Sequence, residues 1–239
     1  MIKFIKREIA EFKKALTFVS PTVLALYVAV LISMNLLANK EIYTGNTSEW
    51  LVIDCGTTLS WVMFFLTNII VKKSKPKYSI RISLIAITIT LFFFVWYSLI
   101  SYIPGNWGAY YEYNNSVANS SLNYTMRGSW RIILSSASAF FISISFDSVL
   151  NYSLFKKFKQ NKVKGYVLSN YISTGLSQFL DNLIFSELVS VGLFGWSQLQ
   201  CVVSSLTTMI VELMFEIIFS AVSYKIYKKG LNEEKRRDA

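Results

Sequence analysis

The chain has 239 residues, of which 53% are hydrophobic and 16% charged, with a formal net charge of +10 and no histidine. A soluble domain would keep its apolar residues in amphipathic patterns, so long uncharged stretches put the membrane class first. The missing histidine removes histidine triads, histidine metal sites and histidine proton relays together.

Residues 1–16 are charged throughout and lack the apolar region and small-residue cleavage site of a secretory signal. Ile2, Ile5, Ile9, Phe12 and Leu16 recur at helical spacing opposite Lys3, Lys6, Arg7, Lys13 and Lys14. That pattern predicts an amphipathic helix lying in the membrane surface. Apolar stretches of about 20 residues then follow, at 17–37, 50–71, 79–103, 131–154, 166–190 and 198–224, each long enough to cross a bilayer. The expected fold is all-α and polytopic: one membrane domain with an interfacial helix over 1–16, a bundle of about six transmembrane helices over 17–224, and a charged tail over 225–239.

The connection 104–130 is rich in Asn, Ser, Gly and Tyr and reads as a long loop. Asn-x-Ser/Thr sequences stand at Asn46, Asn114, Asn119 and Asn123, as such a composition produces by chance. Of the 24 basic residues, 21 lie before the first span, from Lys72 to Arg81 around the second connection, between the fourth and fifth spans, and after the last. Lys40, Arg127 and Arg131 are the rest, so the positive-inside rule puts both termini in the cytoplasm. The basic clusters are juxtamembrane and line no common groove, which argues against nucleic acid as a partner. Cys55 and Cys201 fall in apolar stretches, with no disulfide framework or metal site to join.

Within the spans, polar residues align at helical spacing. Asp54, Thr58, Trp61, Phe65, Asn68 and Lys72 make one stripe; Asn170, Thr174, Ser177, Gln178, Asp181 and Phe185 a second; Ser205, Thr208, Glu212 and Glu216 a third. The fourth span, with Ser135, Ser136, Ala137, Ser138, Ala139, Ser143 and Ser145, suits a helix enclosed by neighbours, and carries Arg131 and Asp147 near its ends. Polar groups in hydrocarbon are costly and mark ligand paths or internal pairs. The pairs available are Arg131 with Asp181, and Lys72 with Asp147 or Glu216. Ala25 and Ala29 form a small-xxx-small pair that permits close helix approach.

These residues carry a family resemblance. Asn35-Leu-Leu-Ala-Asn39-Lys40, then Thr67-Asn68-Ile-Ile-Val-Lys72 with Arg81, then Arg131 and Phe146-Asp147, and finally Ser173-Thr174, Gln178, Asp181 and Phe185 stand in the order of the queuosine precursor transporter family, also called the vitamin-uptake-type or VUT family. The chain resembles that family over most of its length. The resemblance implies a plasma-membrane importer of 7-deazapurine precursors of queuosine, similar in fold to the six-helix substrate-binding subunits of energy-coupling-factor transporters. It implies no catalytic residue, metal or cofactor.

Trp61 or Phe65 can stack on a flat heterocycle, while Asn68, Gln178 and Asp181 can pair with its edge. Arg131, Asp147, Thr174, Phe185 and Glu212 complete the expected binding set. The energy source has two readings: a proton-coupled carrier using Asp147, Asp181 or Glu212, or a binding subunit for another small heterocycle whose energising ATP-driven module docks on Ala25 and Ala29. A membrane enzyme is the weaker alternative, because Gly-x-Ser-x-Gly and metal-ligand clusters are both missing. An assembly protein, whose polar stripes only bind helices together, is another.

Overall fold

The computed structural model describes residues 2–42, 53–107, 116–158 and 163–237. It consists of eight helices and a two-residue β-ribbon: α1 (Ile2–Leu16), α2 (Pro21–Leu37), β1 (Glu41–Ile42), β2 (Ile53–Asp54), α3 (Thr57–Ser74), α4 (Pro76–Ile100), α5 (Ser116–Gly128), α6 (Trp130–Lys157), α7 (Val163–Phe194) and α8 (Gln198–Arg237). The helix starts follow local chemistry. Ser20 caps α2 by accepting from the Val23 N–H at 3.3 Å, with Pro21 in the first turn, where its missing N–H costs nothing. At the break between α3 and α4, Pro76 keeps Lys75 out of helical geometry, and Lys75 takes φ 73°.

Among the described residues three helices are long and apolar enough to cross a membrane: α4, with mean hydropathy 2.1, α6 with 1.6, and the Gln198–Ile217 part of α8 with 1.4. The α1 and α2 helices, bent by 102° at their junction, make a fourth if counted as one span. By contrast α2 has 17 residues, and α3 and α7 carry the polar stripes through their middles. The chain is a multi-pass membrane protein with apolar helices exposed at its surface. Phe92, Val95, Trp96 and Leu99 of α4, Phe141, Ile142 and Val149 of α6, and Leu206, Ile210 and Met214 of α8 are exposed. An apolar surface spread over three helices is costly in water and at home in lipid.

Inside, α7 lies between α6 and α8, while α3 packs against α8 and α2. Tyr27, Leu31, Met63, Phe64, Ile82, Ala86, Phe140 and Ile144 form the apolar core of α2, α3, α4 and α6. Polar pins cross it. The Tyr27 hydroxyl bonds Thr67 at 3.0 Å and Ser83 at 2.8 Å, joining three helices, and Ser148 donates to Ser79 at 3.2 Å.

Several expectations change. The stretch 104–130 is not all loop: α5 occupies its second half, with Asn119 accepting from the Trp107 backbone and Asn123 from its indole at 2.9 Å. Asn46 and Asn114 lie outside the described residues, as does the start of the expected span at Trp50. Instead of starting at Trp50, α3 begins at Thr57, and Asp54 belongs to β2, paired with Glu41. The helix α8 continues into the charged tail as far as Arg237. Nor is α6 enclosed on most sides: Ala139 and Ser143 are buried, but Ser138, Phe141, Ile142 and Phe146 face outward.

Candidate functional site

The α7 stripe keeps its face inward for most of the helix. Asn170, Thr174, Ser177 and Gln178 are fully buried or nearly so, and one turn further on Asp181, Asn182 and Phe185 border open space. That space is a cavity of about 260 Å³ at the end of the bundle near the β-ribbon, lined among others by Asn39, Asp54, Asn182, Phe185, Ser186, Trp196 and Thr208. A recess of about 30 Å³ adjoins it through the shared residues Ala38, Asp54, Asn182 and Phe185, and adds Ser60, Ser136, Asp181 and Glu212.

The recess is built from carboxylates held by neutral donors. Ser143 donates to Asp181 Oδ1 at 2.8 Å. The Ser60 hydroxyl donates to Glu212 Oε1, and Asn182 Nδ2 reaches Glu212 Oε2 at 3.2 Å. Asp54 holds the start of α3 by accepting from the Thr57 N–H at 3.2 Å. Among the described residues no lysine or arginine lines the cavity or the recess. Their walls therefore present carboxylate and amide acceptors against a weakly polarisable surround, which favours hydrogen-bond donors and positive charge. Among the described residues no group of three carboxylates, cysteines or histidines is spaced to hold a metal ion.

Further along α7 lies a second polar centre, buried in the bundle. Asn68 Nδ2 donates to Thr174 Oγ1 at 2.9 Å and to Glu216 Oε1 at 3.1 Å, and Lys72 donates to Asn151 Oδ1 at 2.7 Å. Asp147 faces Lys72 and Ser173 without closing a hydrogen bond of ordinary length. Between the two centres sits Gln178, fully buried, with neither end of its amide hydrogen-bonded. A buried amide in that condition costs about 1–3 kcal/mol, so its retention calls for an explanation outside folding.

The structure thus brings Asp181, Phe185 and Glu212 to the cavity and recess, gathers Asn68, Asp147 and Thr174 deeper, and leaves Gln178 between. It sets three expected residues apart from both. Trp61 stacks on Phe215, with ring centroids 6.0 Å apart and planes 15° from parallel, and its indole N–H is spent on the Thr58 carbonyl. Phe65 lies edge-on to Trp61 at 6.5 Å. The exposed Arg131 holds its guanidinium over the Trp130 ring at 5.3 Å.

Along α3 the buried face runs through Thr57, Ser60, Phe64 and Thr67 and takes in Asn68 and Lys72, so the partly buried Trp61 and Phe65 lie at its edge. Nor do the expected ion pairs form: among the described residues the ion pairs are Arg7–Glu8, Lys77–Glu11 and Arg81–Glu8. Sequence reasoning missed Ser60, Ser143, Asn151 and Asn182. Asn151 had a signal, standing four residues after Asp147 on the same face of α6, and Asn182 adjoins Asp181.

Residues 54–227 match the sequence profile of a family described as "Putative vitamin uptake transporter". No curated protein and no solved structure matches the chain.

Proposed function

The chain belongs to this vitamin uptake transporter family, and from that premise we propose that it imports a small purine-like heterocycle, a 7-deazapurine precursor of queuosine. One observation carries the reading: α7 presents a continuous polar face that begins in the cavity at Asp181, Asn182 and Phe185 and runs inward through the unpaired amide of Gln178. A flat heterocycle entering along that face meets an aromatic ring at Phe185, carboxylate acceptors at Asp181 and Glu212, and an amide able both to give and to take a hydrogen bond at Gln178. The cavity of about 260 Å³ lies just below the range of about 300–1,000 Å³ typical of small-molecule sites, which limits it to a small ligand.

In this reading six helices, α2, α3, α4, α6, α7 and α8, cross the plasma membrane, both termini are cytoplasmic, and the cavity opens outward. Asp147, Asp181 and Glu212 are the carboxylates available to a proton-coupled cycle. The second reading, a binding subunit served by an ATP-driven module, is favoured by the exposure of both Ala25 and Ala29 on the outer side of α2. Thermal stabilisation of the purified protein by 7-deazaguanine, but not by thiamine or riboflavin, supports the substrate class, as does mass spectrometry of the ligand retained on purification. Stabilisation by an unrelated vitamin alone would replace the purine. Co-purification with an ATPase module that Ala25→Leu abolishes would establish the second reading.

A further inference from the structure

Lys72 occupies a cage that offers its ammonium neutral ligands. Its Nζ donates to Asn151 Oδ1 at 2.7 Å and to Asn170 Oδ1, and lies over the ring of Tyr166 at 4.4 Å and that of Phe155 at 5.2 Å. None of the described ion pairs includes it, although Asp147 of α6 and Glu216 of α8 stand close enough to act on it electrostatically. A lysine this deeply buried is ordinarily matched by a carboxylate in contact, because desolvating the charge is costly. Here the contacts are amide carbonyls and aromatic faces, with carboxylates only in a wider shell. Proteins offer such groups to a monovalent cation stripped of water: carbonyl dipoles replace its hydration shell and ring quadrupoles add attraction.

The cage holds its form through bonds that do not involve the lysine. Asn151 Nδ2 donates to Asn68 Oδ1, to Asn170 Oδ1 at 3.2 Å and to Ser173 Oγ at 2.8 Å, which leaves Asn151 Oδ1 aimed at the ammonium. Turning that amide would sacrifice all of these bonds. The oxygens are therefore preorganised by α6, α7 and α3 together, and the rings of Phe155 and Tyr166 brace each other edge to face at 6.0 Å.

We propose that this is a monovalent-cation site which the chain fills with its own tethered ammonium, and that removing the side chain converts it into a site for a free cation, alkylammonium ions best because of the two rings. The inference is independent of which substrate is carried. It makes Lys72 the charge that pins α3 to α6 and α7, with Glu216 of α8 in the outer shell. A rearrangement that opens the bundle beyond the cavity must carry the ammonium out of its cage or move the cage as one body.

The test is the thermal midpoint of the full chain in detergent, with methylammonium chloride, potassium chloride or sodium chloride replacing N-methylglucamine chloride at constant ionic strength. Lys72→Ala should melt below wild type in N-methylglucamine. Its midpoint should rise with the logarithm of methylammonium concentration, by on the order of 5 °C at high occupancy, while wild type stays flat. Potassium or sodium should act more weakly. A second variant, Lys72→Ser, purified in both media, should show the same response and guards against a defect peculiar to alanine. The proposal is overturned if neither variant responds to any cation, if wild type responds equally, if the variants match wild type without added cation, or if neither yields folded protein even when purified in methylammonium.

Discussion

Gln178 separates stability from function more sharply than any other residue of the α7 face. It is fully buried with both polar atoms lacking a partner, so Gln178→Leu, of similar volume, should raise the unfolding free energy of the unliganded protein by about 1 kcal/mol while abolishing substrate binding. Thermal unfolding and uptake measured on the same variant check both halves. Asp181 is a carboxylate of the recess, next to Asn182, which lines both recess and cavity. Because Arg131 is exposed on Trp130 and makes no ion pair with it, Asp181→Asn strands no cation. The variant should keep its stability and lose about 1.5–3 kcal/mol of ligand affinity, the worth of a hydrogen bond to a charged group. Equilibrium binding to the folded variant reads this directly. The aromatic partner should be Phe185, which lines the cavity, and not Trp61, which is stacked on Phe215. Phe185→Ala is expected to cost about 1–3 kcal/mol of binding, as loss of a base-stacking ring does elsewhere. Trp61→Ala should leave affinity unchanged in a binding titration.

Among the elements, the junctions are more constrained than the helices they join. A Cβ at Gly56 would stand 2.7 Å from the Met34 carbonyl oxygen and 2.7 Å from Asp54 Oδ1, and the first of these is backbone on a neighbouring helix that cannot yield cheaply. Gly56→Ala should therefore destabilise by about 1–3 kcal/mol, measured by thermal unfolding, through displacement of α2 from the start of α3. At the other end α1 is tied to the start of α4 by Glu8 with Arg81 at 2.7 Å and Glu11 with Lys77 at 2.8 Å. The hydrogen bond from Lys77, joined by the charges of Lys77, Arg81 and Lys14, holds the Glu11 carboxyl below its usual 4.5 against a smaller opposing desolvation. A depressed carboxylate contributes above its unfolded value and is lost as pH falls through its folded one. The tie should hold near neutrality and loosen below the ordinary glutamate range. A spin label at Ala10 should show constant mobility from neutral pH down to that range and greater mobility below it. In Glu11→Gln the label should already be more mobile at neutral pH.

Among the described residues the helices of the bundle expose large apolar side chains and bury most of their polar stripes, which is the arrangement that lipid as a solvent selects. The proposed sidedness rests on charge. Lys73, Lys75, Lys77 and Arg81 stand at the α3–α4 junction, at the opposite end of the bundle from the cavity, while Lys72 is drawn into the interior and leaves that count. A cysteine at Lys75 should be shielded from an impermeant thiol reagent added outside intact cells, and one at Asn106, in the connection after α4, should react. The reverse pattern would invert the topology and turn the cavity inward.

Composition and hydropathy were enough to establish an all-α membrane chain, and the 3.6-residue period was enough to put Asn170, Thr174, Gln178, Asp181 and Phe185 on one face, because a helix fixes its own side-chain directions from sequence alone. The family order of residues was legible for the same reason: it runs along the chain. What the chain could not reveal was where each helix begins and what stands opposite it. Asp54 stands in a ribbon and not in α3, and Trp61, at the edge of the buried face, stacks on Phe215 of α8. Likewise, charges that could pair in principle, Arg131 with Asp181 or Lys72 with Glu216, are kept out of contact. Helix packing gives Arg131 the ring of Trp130, and gives Lys72 two amides and two rings. Contacts between helices depend on relative rotation and depth. No local rule encodes those quantities, and they are settled only when the whole bundle packs.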